Sequence, residues 1–596
     1  MTNLEPILLG EGPPPPAALV GAKAAELARM MALGLPVPPA FVLPTSFCAA
    51  VIRGDADALE ALADAARKGI AWLERATGKK FGDARAPLLV SVRSGAEKSM
   101  PGMMDTLLDV GLNGESVHGL IRQSGDVRLA FDCWRRFLFT YAETVAGAPP
   151  EVFEAALRHM LEAEGAADEA ELDSDALERL TVEFRALGEA HSAAAPDDAM
   201  QQLLASARAV FASWGGARAR EYRRLNGLEG LSGTAVTVQA MVFGNAGADS
   251  GAGVAFSRDP STGAKALYVD FLTDAQGEDV VSGRRTPRDA AEFFRRSPTV
   301  ARQLEEGARL LEVANADVQD IEFTVERGRL YFLQTRSAKR TPRAALRIAI
   351  DLAEEGVITR AQALERTVSV DAGATRLARF ATPAVTAARA TVASPGVACG
   401  LACFDSASAQ SMANRGDPVI LVRRDTSTED VAGFAVACGI LTAIGGRTAH
   451  AAVVARQMGK VCLVGCRELA ISSTGGSARI GEQTIQQGDW IALDGASGEV
   501  SVGIREIVSD EAPELAILCE WGGGPRADEG PEPKSHTSAD AALDLDTKGE
   551  IATGETFAPA QPPWIVATPP AALPEAVAKL PLHSAAGHSI TDGQSA

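Results

Sequence analysis

Residues 445–460 read GGRTAHAAVVARQMGK, and the fold of the chain around them follows from this stretch. Gly445 and Gly446 permit a tight turn, the residues after them form helix, and Gly459 stops it. His450 therefore stands at a helix N-terminus, where unpaired backbone N–H groups and the helix dipole favour an anion. A phosphate carried on the imidazole would be stabilised where it is attached, and a neutral ring nitrogen is a competent nucleophile near pH 7. A lone histidine here would read as a cap or a core residue; the complete Gly-Gly-x-Thr-x-His-Ala-Ala string makes it a candidate phosphoryl carrier. Short β segments, VILVRR (419–424) and WIALDG (490–495), lie to either side, so residues from about 392 to 503 read as a compact α/β unit. The uncharged run Val431–Gly446 is too short to span a membrane and reads as buried core.

Upstream the pattern is mixed. KAAELARMMAL (23–33) has helical apolar spacing and ends at Gly34, PLLVSVR (87–93) reads as a buried strand, and residues 130–225 read as mainly helical. Strand patterns return at 234–244, 253–259 and 266–271, then in the hairpin DIEFTVERGRLYFLQTR (320–336) with its turn at Arg327-Gly328. Strand alternation puts Asp320, Glu322 and Thr324 on one face, and the returning strand puts Gln334 and Arg336 on a common face. Oxygen ligands beside a guanidinium suit a Mg²⁺–triphosphate. The stretch SVRSGAEKSMPGMMDT (91–106) has the composition of a loop whose backbone amides approach a phosphate, with Arg93 and Lys23 to supply positive charge. A third Gly-rich stretch, 244–263, carries Arg258 and Asp259 but is a weak signal, since turns explain its glycines equally well.

The whole chain is 596 residues, a length for several domains. Lys and Arg number 57 against 77 Asp and Glu, and the net charge of -20 repels the phosphate backbone, so neither nucleic acid nor an anionic membrane is an expected partner. Eight scattered cysteines form no compact disulfide framework, and the N-terminus has no signal-peptide pattern, so a reduced, cytoplasmic location is expected. Beyond about Glu511 the chain holds 11 of the 32 prolines and contributes -9 of the -20 charges, a composition expected to be disordered.

The long strings VSVRSGAEKSMPGMMDTLLDVGLN (90–113), VQAMVFGNAGADSGAGVAFSRDPSTG (238–263) and AQGEDVVSGRRTP (275–287), with the hairpin and the histidine stretch, resemble the pyruvate, phosphate dikinase family, in the wider group with phosphoenolpyruvate synthase. The resemblance runs in order over about residues 1–505. It implies an α/β and α+β multidomain chain: an ATP-grasp nucleotide-binding domain over 1–340, a helical connector over 341–390, a swivelling phosphohistidine domain over 391–506, and an acidic Pro-rich tail over 507–596. Lys23, Arg93, Asp320, Glu322, Gln334 and Arg336 match the family's ATP-site residues, Glu322 and Gln334 its Mg²⁺ ligands, and His450 its phosphorylated histidine. The implied chemistry is attack of that histidine on the β-phosphorus of ATP, with AMP released, followed by removal of the terminal phosphoryl group by orthophosphate as pyrophosphate. Arg93 and Arg336 would then act in catalysis with His450.

Arg447 stands where this family often has Met, and Ala449 where it commonly has Ser. Thr448 matches the position that plant members use for regulatory phosphorylation, although loop hydrogen bonding is its simpler role. The family's C-terminal barrel, which binds phosphoenolpyruvate or pyruvate, needs at least ~200 residues, and the tail is too short for one. The leading expectation is thus an ATP- and phosphate-dependent phosphotransferase that reaches pyruvate only through a barrel supplied by a separate protein. The alternatives are a non-catalytic regulatory or scaffolding relative of a full-length homologue, and the product of a split or truncated gene.

Overall fold

The computed structural model describes residues 4–98, 100, 104, 106–166, 168–281, 290–425, 430–447, 450–472 and 476–522. Two antiparallel sheets build the first half. In the first, β1 (Ile7–Leu8), β2 (Ala40–Leu43), β3 (Val90–Ala96), β4 (Thr106–Val110) and β5 (Thr234–Ala240) lie in the order β1-β2-β5-β3-β4. In the second, β6 (Gly251–Phe256), β7 (Tyr268–Thr273), β8 (Gln319–Glu326) and β9 (Arg329–Ser337) lie in the order β9-β8-β6-β7. Val42, Ala235, Phe271, Phe323 and Phe332 share one apolar core with helices α1 (Ala17–Ala32) and α2 (Pro298–Asn315), which ties the two sheets together. The Ala-, Leu- and Arg-rich helical segment expected over 130–225 forms helices that cover the first sheet with Phe137, Leu177, Leu180 and Phe211.

The hairpin of β8 and β9 turns at Arg327 and Gly328, both at positive φ (50° and 74°), as a tight two-residue hairpin turn requires. Its register pairs Asp320 with Arg336 and Glu322 with Gln334. On the other side β6 pairs with β8, Phe256 facing Asp320, and with β7, Phe256 facing Tyr268. One rung therefore crosses all four strands as Tyr268, Phe256, Asp320 and Arg336, and the next on the same face as Asp270, Val254, Glu322 and Gln334.

The histidine stretch lies in an eight-stranded sheet. Its parallel centre runs through Val397–Cys403, Val419–Arg423, Gly439–Thr442 and Val461–Val464. The apolar run Val419 to Val422 is buried on both faces, with Ile420 and Val422 in one core and Val419 and Leu421 in the other, as expected of a parallel strand covered on both sides. Against the second face packs α4 (His450–Gln457), through Ala452 and Ala455. It ends at Gly459, whose φ of 63° is the left-handed conformation that terminates helices.

The connectors are more ordered than composition suggested. Of the connector expected to be helical over 341–390, the first part is helix, with α3 (Pro342–Glu354) capped by the Thr341 hydroxyl and Arg360–Thr367 by a capping box from Thr359 to Gln362, whereas Leu377–Phe380 and Ala388–Arg389 are strands. In the Ala-, Thr- and Pro-rich stretch from Thr382 to Ser394, strands Ala388–Arg389 and Thr391–Ser394 belong to the eight-stranded sheet. The tail expected from 507 begins later. Ile507–Asp510 pairs with Leu377–Phe380, and α5 (Pro513–Glu520) packs Leu518 against Leu346 and Ile350, with Arg343 and Glu514 3.2 Å apart. Local proline and acid content could not reveal this, because the partners come from more than a hundred residues upstream. The tail from 523 onward lies outside the described residues. All eight cysteines are free, and among the described residues no helix is long and apolar enough to cross a membrane.

Candidate functional site

A cavity of about 350 Å³ opens between the two sheets of the first half. Lys23, Arg93, Glu322, Gln334 and Arg336, drawn from three separate segments, all line it. Lys23 arrives because α1 is interrupted at Gly21, whose φ of 81° lets the helix restart against the end of β3. Gly21 meets Gly95 there with no room for a side chain: a Cβ on Gly21 would lie 2.1 Å from the Gly95 carbonyl oxygen. This approach of α1 to β3 puts Lys23 and Arg93 in one wall. Opposite, the first rungs of the hairpin present Glu322, Gln334 and Arg336, and the Arg93 guanidinium comes within 3.6 Å of the Glu322 carboxylate. A bulge after Glu322 breaks strict alternation, and Phe323 and Leu333 also border the cavity.

Asp320 stands one rung behind. Its Oδ2 accepts from Arg336 Nε at 2.8 Å, while its Oδ1 is buried without a hydrogen-bond partner among the described residues. Burial raises the Asp320 carboxyl, and Arg336 only partly offsets this. Burial opposes the charge on Arg336, but Asp320 and Glu322 outweigh it and hold the guanidinium above the ordinary arginine value. Lys23 moves the other way: burial, with Arg93 beside it, brings the amine down to about 8. The carboxylate of Glu322 and the side-chain carbonyl of Gln334, cross-strand partners facing one cavity, are a fitting oxygen pair for Mg²⁺, which keeps its remaining positions for phosphate oxygens and water.

The end of β3 contributes Ser94 and Gly95 to the lining, and the loop after it Lys98, Met100 and Met104. Residues 99, 101–103 and 105 of that loop, and Thr448 and Ala449, lie outside the described residues. His450 opens α4 as its spacing requires. Sequence reasoning did not single out Gly21, Gln239 or Gln276, all at or on the cavity wall. Gln276 lay in the AQGED string, so its signal was present but carried no assigned role. Arg258 is no phosphate ligand: it is fully buried and held by Glu312 (2.7 Å), Glu355 (2.9 Å) and Asp351 (3.6 Å), tying the end of β6 to α2 and α3.

Two family models match the chain: the pyruvate phosphate dikinase AMP/ATP-binding domain over residues 58–306 and the PEP-utilising enzyme mobile domain over 416–498. Pyruvate, phosphate dikinase of Clostridium symbiosum is 43% identical over 500 residues, which cover 83% of this chain and 57% of that protein. The chain belongs to the pyruvate, phosphate dikinase family. The chloroplastic pyruvate, phosphate dikinase 1 of Arabidopsis thaliana is 41% identical over 510 residues, covering 85% of the chain and 53% of the relative. The Rhizobium meliloti dikinase is 42% identical over 521 residues, covering 84% and 58%. The chain thus spans little more than half the length of these family members.

Binding of a polyphosphate in the cavity beside this lysine would have a measurable proton signature. A polyphosphate near Lys23 raises its pKa back toward the ordinary lysine value, so ATP binding at about pH 9 is expected to take up most of a proton, while below about pH 7 Lys23 is already charged and contributes none. Titration calorimetry in two buffers of different ionisation enthalpy measures this, and Lys23→Met should remove the uptake.

Proposed function

We propose that the chain is an ATP-dependent phosphotransferase that phosphorylates its own His450 with the help of orthophosphate. The observation that carries this reading is the convergence of Lys23, Arg93, Glu322, Gln334 and Arg336 on one cavity. A ring nitrogen of His450 attacks the β-phosphorus of ATP. The bond from that phosphorus to the oxygen bridging the α-phosphate breaks, and AMP leaves with the electron pair, giving a pyrophosphorylated histidine. An oxygen of orthophosphate then attacks the terminal phosphorus, the bridging bond breaks, and pyrophosphate leaves a phosphohistidine behind.

Arg93 and Arg336 clamp phosphate oxygens and oppose the charge that gathers on them during transfer, and Lys23 adds a third cation once the nucleotide has restored its proton. Asp320 holds Arg336 through its Nε, leaving the outer guanidinium nitrogens for phosphate. Glu322 and Gln334 would hold Mg²⁺, which supplies charge neutralisation across the phosphate oxygens. Met100, Met104, Leu108 and Met241, on the same cavity wall, give a planar base an apolar surface. The phosphoryl group passes on to pyruvate on a phosphoenolpyruvate/pyruvate-binding barrel outside these 596 residues. With near-stoichiometric chain, Mg-ATP is expected to give a burst of about one AMP per chain, and pyrophosphate only when orthophosphate is added. Formation of ADP, or of no AMP, would contradict the reading.

A further inference from the structure

The helix that His450 opens meets the second sheet through two arginines. Arg447 sits over the Tyr268 ring, 4.7 Å from its centroid. Arg456, only 1% exposed, lies 5.7 Å from the Phe256 centroid and donates from Nη1 to the carbonyls of Ala393 (2.9 Å) and Arg447 (2.8 Å). Tyr268 and Phe256 themselves meet edge to face at 6.0 Å. The Ser261 hydroxyl also donates to Ala393, at 3.3 Å, so the same carbonyl joins both units.

Tyr268 and Phe256 are not a random patch of that sheet. They are the first two members of the rung that continues into Asp320 and Arg336. Arg447 just before the His450 helix and Arg456 in its last turn thus grip one end of the row of residues whose other end reaches the cavity. Among the described residues Arg456 makes no ion pair; backbone carbonyls and a ring hold it, and the Asp270 and Asp320 carboxylates bear on it from the sheet. A buried guanidinium without a carboxylate lock regains water when the surfaces separate, so this contact can both fix a position and release it.

We infer that Arg447, seated on Tyr268 and braced by Arg456, is a positioning residue that docks the His450 helix beside the nucleotide cavity for phosphoryl transfer. This rests on the function proposed above. The Tyr268 hydroxyl is buried without a partner among the described residues, so the ring face and not the hydroxyl makes the contact. An Arg–aromatic contact in a half-buried setting is worth about tenfold in a docking equilibrium.

The test uses the full chain with Arg447→Met, Tyr268→Leu, their combination, and Tyr268→Phe. Two quantities are read: the single-turnover rate of histidine phosphorylation beside ATP affinity, and backbone hydrogen exchange over residues 450–457. Each of the first two variants is expected to slow phosphorylation about tenfold, leave ATP affinity within about twofold, and speed exchange of the helix. The double variant should be no slower than either single one, and Tyr268→Phe should recover most of the rate. Unchanged rates and exchange in Arg447→Met, additive losses in the double variant, or a loss confined to ATP affinity would overturn the inference. If the wild type itself forms no phosphohistidine, the proposed function falls, and the exchange measurement still decides the docking contact by itself.

Discussion

Gly21→Ala is expected to separate Lys23 from the rest of the site and lower ATP affinity by about a hundredfold or more. Gly21 has φ 81° and ψ 158°, a region essentially reserved for glycine that costs another residue roughly 1–3 kcal/mol. The new methyl would also lie 2.1 Å from the Gly95 carbonyl oxygen, 2.4 Å from its carbon and 2.8 Å from its Cα, all backbone atoms of β3 that cannot swing aside as a side chain can. Relief requires α1 to move off β3, and overpacking of this kind costs about 1–3 kcal/mol more. Because Lys23 lies on α1 two residues after the clash and Arg93 lies on β3 two residues before it, that displacement opens the cavity wall at its cationic side. Gly95→Ala is the control: its nearest contact would be the Val20 carbonyl oxygen at 3.3 Å, so a smaller loss is expected. Denaturant unfolding and equilibrium dialysis with ATP measure both effects. Wild-type affinity and stability in Gly21→Ala would mean that α1 and β3 do not approach as described.

How far these features were legible before the structure depends on the range of the interaction that makes them. The hairpin was legible because alternation is local: Asp320, Glu322, Gln334 and Arg336 followed from a period of two and one turn, and the observed register pairs them. The helix start at His450 was legible for the same reason, from two glycines and a helical run. The rung that joins Tyr268 and Phe256 to Asp320 was not, since it needs the register of three strands separated by tens of residues. Gly21 was missed because KAAELARMMAL carries its helical pattern only after the kink, and nothing nearby names Gly95 as its neighbour. Arg258 sat among glycines and looked like a loop charge; its burial comes from Glu312 and Glu355, far along the chain. The order of residues 507–520 escaped notice because a strand pairing and a helix contact with residues 343–380 override the disorder-prone composition.

The connectors bear on function through their pairing. The chain enters the histidine unit through Leu377–Phe380 and leaves it through Ile507–Asp510, and these two strands pair with each other. In the transfer cycle proposed above, a swing of that unit away from the cavity would turn about a two-stranded ribbon whose base is held by α5 on α3. Such a ribbon would restrict the swing more than a single flexible linker, in keeping with the docking inferred for the His450 helix.

The central claim is that His450 receives the β-phosphoryl group of ATP. Incubation with Mg²⁺, orthophosphate and [β-³²P]ATP is expected to leave acid-labile, base-stable label on the wild-type chain, recovered in the peptide that contains residue 450, and none above background on His450→Ala. With [γ-³²P]ATP the label should appear without orthophosphate and leave as pyrophosphate when orthophosphate is added. Equal β-labelling of the wild type and His450→Ala, or γ-label that orthophosphate cannot remove, would contradict the account.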